Sequence, residues 1–226
     1  MPNIDDAKRA AAQAAIAELP MEGVIGLGTG STAKLFIDAV GELVLRGRKL
    51  IGVPTSRASR EQATALGIPL LSDDGPWDIA VTVDGADEVS PTLDVIKGGG
   101  GAHTREKIIN YSSRRNIIIV DASKLSQQLG DKWAVPIEVL AFASAATAKH
   151  LRAFGEPALR MKAGEPFRTD AGNVIYDLNC GSSANPATLD TALHSVPGVV
   201  ETGLFVGRVD VVLVARENGV ERLTRG

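Results

Sequence analysis

The pattern that most limits how this chain can fold is a repeated alternation. Short apolar runs stop at a glycine, a proline or an acidic turn, and each leads into a stretch of helix formers. VIGLG at 24–28 gives way to residues 32–45, where Leu35, Phe36, Ala39, Val40 and Leu43 fall at helical spacing. KLIGVPTS at 49–56 leads into a helix over 58–67 closed by Gly67. IPLLS at 68–72 reads as a third strand, and WDIAVTVDGAD at 77–87 as a strand ending in a polar turn. A helix over 104–115 precedes NIIIVDAS at 116–123, a strongly β-branched strand. Ahead of them all, a helix from Asp5 to Leu19 carries Asp5 and Asp6 at its positive end, and Pro20 stops it. The strands are continuous apolar runs, as expected when both faces of a sheet are covered. The class is therefore α/β, a mostly parallel sheet wrapped by helices. In such sheets ligands bind beyond the carboxyl ends of the strands, so the residues just after each strand hold the most interest.

The rhythm loosens after Trp133. Strands are expected over 134–140, 158–162, 173–180 and 203–216, and helices over 144–155 and 188–196. This gives a boundary near Lys132. Residues 1–132, joined by 206–226, form the α/β domain. Residues 133–205 form a smaller α+β subdomain, a candidate for an oligomer interface.

Composition removes several classes of function. With 226 residues, 44% of them hydrophobic, the chain can bury a full core without disulfides, and Cys180 has no cysteine to pair with. A net charge of −3 and only 4% aromatic residues argue against a nucleic-acid partner. The N-terminal run after Lys8 and Arg9 holds Gln13 and Glu18, so it reads as an amphipathic helix rather than an export signal. No stretch approaches the roughly 18 to 20 apolar residues of a membrane span. A cytoplasmic location and no membrane partner are expected.

Three motifs carry chemistry. The first, GLGTGSTA over 26–33, follows a strand and opens a helix. Its glycines, Gly30 among them, let the backbone approach an anion, the helix N-terminus offers free N–H groups, and Thr29, Ser31 and Thr32 add hydroxyls. Gly28 to Ala33 also fits a dinucleotide-binding turn. That reading wants a carboxylate after the second strand, where Pro54-Thr55-Ser56-Arg57 stands instead. Arg57 keeps an NADP-dependent oxidoreductase open, and a tight turn with no ligand also remains. The second motif, DGADE over 84–88, crowds three carboxylates into five residues. They suit a cation, a basic partner or proton transfer, or else a solvated acidic turn. The third is Lys97 followed by Gly98, Gly99, Gly100 and Gly101, then a helix that carries Glu106 in its first turns. Four ordered glycines are entropically costly, which suits a backbone passing close to a substrate; a flexible hinge is the alternative. Arg105 and Lys107 read as solvated helix charges. Taken together, an anion cradle, carboxylates, a lysine and a glutamate at one sheet edge suit moving a proton on a small phosphorylated molecule.

On these segments, and on DASK at 121–124 and PGVVETGLF at 197–205, the sequence resembles the ribose-5-phosphate isomerase A family over nearly its whole length. The resemblance implies a Rossmann-like α/β domain with a smaller α+β domain. It also implies interconversion of ribose 5-phosphate and ribulose 5-phosphate, without cofactor or metal, in a homodimer or, less favoured, a homotetramer. By the same resemblance Glu106 is the general base, moving a proton between C2 and C1 through an enediolate. Asp84 and Asp87 assist ring opening and handle hydroxyl protons, and Lys97 stabilises developing negative charge. Thr29, Gly30, Ser31, Thr32, Gly98, Gly99 and Gly100 fall to substrate binding, with Lys8 and Lys124 on the phosphate or the sugar. Burial would raise the pKa of Glu106 toward the working pH, while the helix N-terminus pulls it down. A non-catalytic sugar-phosphate sensor would keep the cradle without needing Glu106.

Two places depart from the family pattern. His103 stands where an apolar residue is common, and it either packs under the loop or touches substrate. The segment from Asn179 to Pro186 lacks an acidic residue usual before the proline. Cys180 reads as a structural thiol, His150 and His194 as ordinary helix residues, and no His/Cys cluster has metal-site spacing.

Overall fold

The computed structural model describes residues 4–225. In chain order it begins α1 (Ile4–Ile16), β1 (Glu22–Leu27), α2 (Ser31–Leu45), β2 (Lys49–Pro54), α3 (Arg57–Ala65) and β3 (Val81–Asp84). There follow β4 (Glu88–Val89), β5 (Val95–Ile96), α4 (His103–Tyr111), β6 (Asn116–Asp121) and a 3-10 turn at Ala122–Lys124. Next come β7 (Val135–Val139), α5 (Ser144–Leu151), β8 (Glu156–Leu159), β9 (Met161–Lys162), β10 (Glu165–Pro166) and β11 (Val174–Asn179). The chain closes with α6 (Pro186–His194), β12 (Val199–Thr202), β13 (Leu204–Phe205), β14 (Val211–Arg216) and β15 (Gly219–Thr224).

The chain divides into two compact units with interleaved boundaries. One gathers residues 1–86, 105–124 and 208–226; the other gathers 87–104 and 125–207. The first is built on a six-stranded sheet in the order β15-β14-β6-β3-β1-β2. Its pairs are parallel except the edge hairpin of β14 with β15. Alternate side chains fill two cores. Ile25 and Leu27 of β1, Val81 and Val83 of β3, and Ile117 and Ile119 of β6 pack with Phe36, Ile37 and Val40 of α2 and with the alanines of α1. Val53 and Ile79 pack with Ile109 of α4 in a separate cluster. Burial on both faces explains why these strands lack polar alternation. The α/β class and the mostly parallel sheet expected from the sequence are what the structure has.

The second unit is antiparallel. Strands run in the order β12-β7-β11-β8 under α5 and α6, around Ile137, Val139, Leu151, Val174, Leu178 and Leu193. A three-stranded sheet, β13-β5-β4, holds the residues that flank the acidic turn and the glycine run.

Local expectations fail where chain chemistry overrides hydropathy. IPLLS is not a strand: Leu70 alone bridges Gly52, because Pro69 has no N–H to give a ladder and only its carbonyl accepts, from Gly52. The run expected as one strand over 203–216 breaks into β13 and β14 around Gly207, whose φ of 68° turns the chain. β15 went unforeseen because GVERLT is mostly polar; as an edge strand it needs only one buried face.

Within the first unit, Glu18 in the turn that follows α1 lies between Arg115 and Arg222, accepting from Arg222 Nε at 2.9 Å. Those hydrogen bonds, Arg222 foremost, hold its carboxyl below the ordinary glutamate range against the opposing effect of burial. A carboxylate depressed in the folded state stabilises the fold above its unfolded pKa, and the contribution disappears as pH falls through the folded value. Glu18→Gln is therefore expected to lower the melting temperature at pH 7. The gap to the parent chain should close as pH falls below about 4.3, the ordinary glutamate value. Thermal melts of both chains across pH 3–7 check this.

Candidate active site

The first motif is built as a crossing of strand ends. At the end of β1, Gly28 N–H donates to Val83 O at 3.0 Å, and Thr55 N–H donates to Leu27 O at 2.9 Å. Asp84, buried as the last residue of β3, accepts from Thr29 N–H at 2.9 Å and from Gly85 N–H at 2.7 Å, both on Oδ1. A β-carbon on Gly28 would stand 2.3 Å from that same oxygen and 2.6 Å from Asp84 Cα, so a glycine is required there. The acidic turn and the glycine turn are thus one structure.

Gly30, with φ 108°, caps α2 without a side-chain bond, so the first N–H groups of the helix have no side-chain cap. Ser31 is exposed and Thr32 half-buried beside them. Thr29 is differently placed. Its hydroxyl lies 2.7 Å from Thr55 Oγ1, 2.8 Å from Ser56 Oγ and 3.2 Å from Ser59 Oγ. Ser59 in turn donates to Gly28 O at 2.6 Å. This hydroxyl cluster fastens the β1 turn to the start of α3. It uses the Thr-Ser pair that stands where a dinucleotide site would want a carboxylate. Lys8 on α1 and Lys124 in the 3-10 turn after β6 are both half-buried.

The three carboxylates of DGADE separate in role. Asp87 is half-buried and its Oδ2 accepts from Gly99 N–H at 2.7 Å. Glu88 is fully buried; its two oxygens accept from Gly130 N–H at 2.9 Å and Lys132 N–H at 3.0 Å. Glu88 is therefore a structural carboxylate that ties the 130–132 loop. The solvated acidic turn open to sequence reasoning is not what forms.

The glycine run is ordered. Lys97 is 4% exposed, its N–H donates to Gly203 O at 2.9 Å, and its Nζ lies 5.6 Å from the ring centre of Phe205. Gly98 (φ 107°) and Gly101 (φ 79°) adopt left-handed backbone angles that favour glycine. A β-carbon on Gly98 would meet the His103 ring at 2.7 Å, one on Gly99 the Asp87 carboxylate at 2.6 Å, and one on Gly101 the Phe167 ring at 2.4 Å. His103 is wholly buried against the loop, with Nε2 3.4 Å from Glu201 O, which is the packing alternative for this residue. Gly100 is exposed. Glu106 lies in the first turn of α4 and is 4% exposed. Its neighbours correct the expectation of solvated charges. Lys107 is buried, and Arg105 is drawn to Asp73 at 3.1 Å. Burial raises the Asp73 pKa, but its hydrogen bonds to Arg105 and Arg60 outweigh this and hold it below its ordinary value.

Outside these motifs, His194 of α6 meets Glu201 of β12, Nε2 to Oε1 at 2.8 Å, and its Nδ1 lies 2.8 Å from Asp190 O. Among the described residues Asp190, His194 and Glu201 are the one group whose side chains cluster as metal ligands can. Spacing alone did not show it, because Glu201 lies on a different element. Burial pushes the Cys180 thiol up, which disfavours the reactive thiolate.

A family model described as Ribose 5-phosphate isomerase A (phosphoriboisomerase A) matches residues 51–219. The chain belongs to this family. A ribose-5-phosphate isomerase A of Parvibaculum lavamentivorans is 44% identical, over 97% of this chain and 98% of its own length. That of Gloeobacter violaceus is 46% identical, over 98% and 97%. The solved structure of ribose 5-phosphate isomerase A from Methanocaldococcus jannaschii matches with a TM-score of 0.93 at 38% identity, covering 98% of this chain and all of that one. A D-ribose-5-phosphate isomerase solved in complex with phospho-erythronic acid matches with a TM-score of 0.94 at 40% identity, over 99% and 100%. The expected fold and isomerase class therefore stand, and neither the oxidoreductase nor the sensor is favoured. Among the described residues no helix is long and apolar enough to cross a membrane.

In a ribose 5-phosphate isomerase A built this way, Gly28→Ala is expected to fail locally, because the clash includes the backbone of Asp84 and no rotamer relieves it. Overpacking of this kind costs roughly 1–3 kcal/mol. A lower midpoint in urea unfolding, together with loss of sugar-phosphate turnover, checks this.

Proposed function

We propose that this chain interconverts D-ribose 5-phosphate and D-ribulose 5-phosphate by proton transfer, with no cofactor and no metal. Glu106 takes the C2 proton of the open-chain aldose, leaving an enediolate. It returns a proton to C1, while a proton passes from the C2 hydroxyl to O1, and the ketose results. Atoms and electrons balance within the substrate, so no redox partner is needed. Lys97 supplies the positive charge on which the enediolate oxygen develops; a preorganised contact of that kind is worth roughly 3 to 4 kcal/mol. Asp84 and Asp87 move hydroxyl protons and open the sugar ring. The backbone N–H groups that begin α2, with Ser31 and Thr32, receive the substrate's polar groups, and Lys8 and Lys124 add charge for the phosphate. Thr29 acts through its backbone, since its hydroxyl is engaged with Thr55, Ser56 and Ser59. Gly98, Gly99 and Gly100 let the chain pass close to the sugar.

The observation that carries this reading is the burial of Glu106, a carboxylate in the first turn of a helix that directly follows the glycine run. A carboxylic acid in that place, beside a loop that lets the backbone approach a ligand, is positioned for proton transfer. The complex of a 40% identical isomerase with phospho-erythronic acid, a phosphorylated sugar acid, supports a site of this chemistry.

The surrounding biology follows from the same reading. The reaction belongs to the non-oxidative branch of the pentose phosphate pathway, in the cytoplasm. The chain works as a homodimer, with the subdomain over 133–205 at the contact. Phe142, 88% exposed, and Leu140 lie there and favour a covered surface.

Glu106→Gln keeps the shape of the side chain and removes the base. Ribose 5-phosphate binding should persist while kcat falls by about 100-fold or more, the contribution usual for a positioned general base. Turnover is followed as ketose formation with EDTA present and no cofactor added. Unchanged turnover in the variant would remove Glu106 as the base, and no turnover in the parent chain would remove the reaction itself.

A further inference from the structure

One peptide unit in the glycine run is gripped at both ends. The N–H of Gly99 and the carbonyl of Gly98 belong to the same planar group and point in opposite directions. The N–H donates to Asp87 Oδ2 at 2.7 Å. The carbonyl accepts from Arg160 Nη1 at 2.6 Å, and the same nitrogen lies 3.3 Å from Gly99 O. Arg160 directly follows β8, and its guanidinium is itself fixed. Nε donates to Asp177 Oδ2 on β11 at 2.9 Å, and Nη2 pairs with Asp177 Oδ1, a two-pronged contact that only arginine can make. Its backbone is held as well: Arg160 N–H donates to Ile175 O and Phe167 N–H donates to Arg160 O, each at 2.8 Å. Phe167 also lies against Gly101, the far end of the run.

Glycines impose almost no preference of their own on a peptide's orientation. Within the loop the Gly98 carbonyl also accepts from Gly101 N–H at 2.9 Å; Arg160 and Asp87 add the side-chain holds on the two faces of the unit, and a rotation of the peptide would break both together. The cation on the carbonyl side also polarises the peptide and strengthens its N–H as a donor.

The geometry points to Arg160, held by Asp177, as a positioning residue for the isomerisation: it fixes the Gly98–Gly99 peptide and through it the carboxylate of Asp87. Arg160 touches no reacting atom. This inference rests on the role proposed above for Asp87.

The test uses Arg160→Met, Arg160→Lys, Asp177→Asn and the double variant R160M/D177N, with two readouts. The first is steady-state turnover of ribose 5-phosphate. A small misplacement of catalytic groups can cost about 100-fold, and a loss of that order is expected in kcat for R160M, with KM moved far less. The double variant should be no slower than R160M, because the two side chains act as one unit. R160K keeps the charge but not the fork, so its kcat should stay low while its melting temperature matches the parent. The second readout is amide hydrogen exchange in the 97–101 segment, expected to quicken in R160M and D177N. Should R160M fail to fold, D177N and R160K carry both readouts. Parental kcat in R160M, full recovery in R160K, or unchanged exchange would overturn the inference. A parent chain that turns over no ribose 5-phosphate overturns the assigned reaction and the catalytic role with it, and exchange then decides the clamp alone.

Discussion

The hydrogen bond from Thr29 N–H to Asp84 Oδ1 is the contact on which the rest of the first unit's site depends. It joins the turn after β1 to the end of β3, extending by a side-chain contact the pairing that Gly28 N–H makes with Val83 O. Because Gly85 N–H shares the same oxygen, the carboxylate holds its own turn as well. The contact exists only because Gly28 has no side chain, and it orients the backbone that runs into Gly30 and α2. One buried acid thus serves the geometry of a strand crossing and the start of a helix.

The same economy recurs in the second unit. Glu138 of β7, almost wholly buried, accepts from Thr104 on one oxygen and from Thr169 and Asn173 on the other. Thr104 sits one residue past His103 at the start of α4, so this carboxylate secures the helix start that follows the glycine run. Glu88 does the equivalent for the 130–132 loop. Glu88 and Glu138 are each surrounded by several donors, which is the condition under which burying a carboxylate is tolerable. His103, folded beneath Gly98, makes its contribution by volume: the ring takes up the space that a side chain on the loop would need.

The sequence made the strand–helix alternation of the first unit readable because buried parallel strands are continuous apolar runs, and the glycines and acids mark their ends. The three motifs could be placed after strands for the same reason. What sequence could not show were contacts between distant residues. Nothing near Arg160 marks it as a partner of Gly98, 62 residues away. Thr55 and Ser56 counted against a nucleotide, but neither they nor Ser59 gave a sign that they anchor Thr29. The burial of Lys107 was hidden because it sits in a helix rich in charges, and the failure of IPLLS as a strand turned on a single missing N–H at Pro69. Glu88 could not be told from Asp84 and Asp87, since three acids in five residues look alike until their donors are known.

The order of strands in the six-stranded sheet has a consequence for synthesis. β14 pairs with β6, yet some ninety residues separate them, and the whole of 125–207 lies between. As the chain leaves the ribosome, β6 (NIIIVD) emerges ahead of residues 125–207 and waits as an open sheet edge until β14 arrives. A long β-branched edge of that kind is a template for pairing with other chains. The nascent protein therefore passes through an interval in which this β-branched strand lacks one neighbour, and the pairing of β14 ends that exposure.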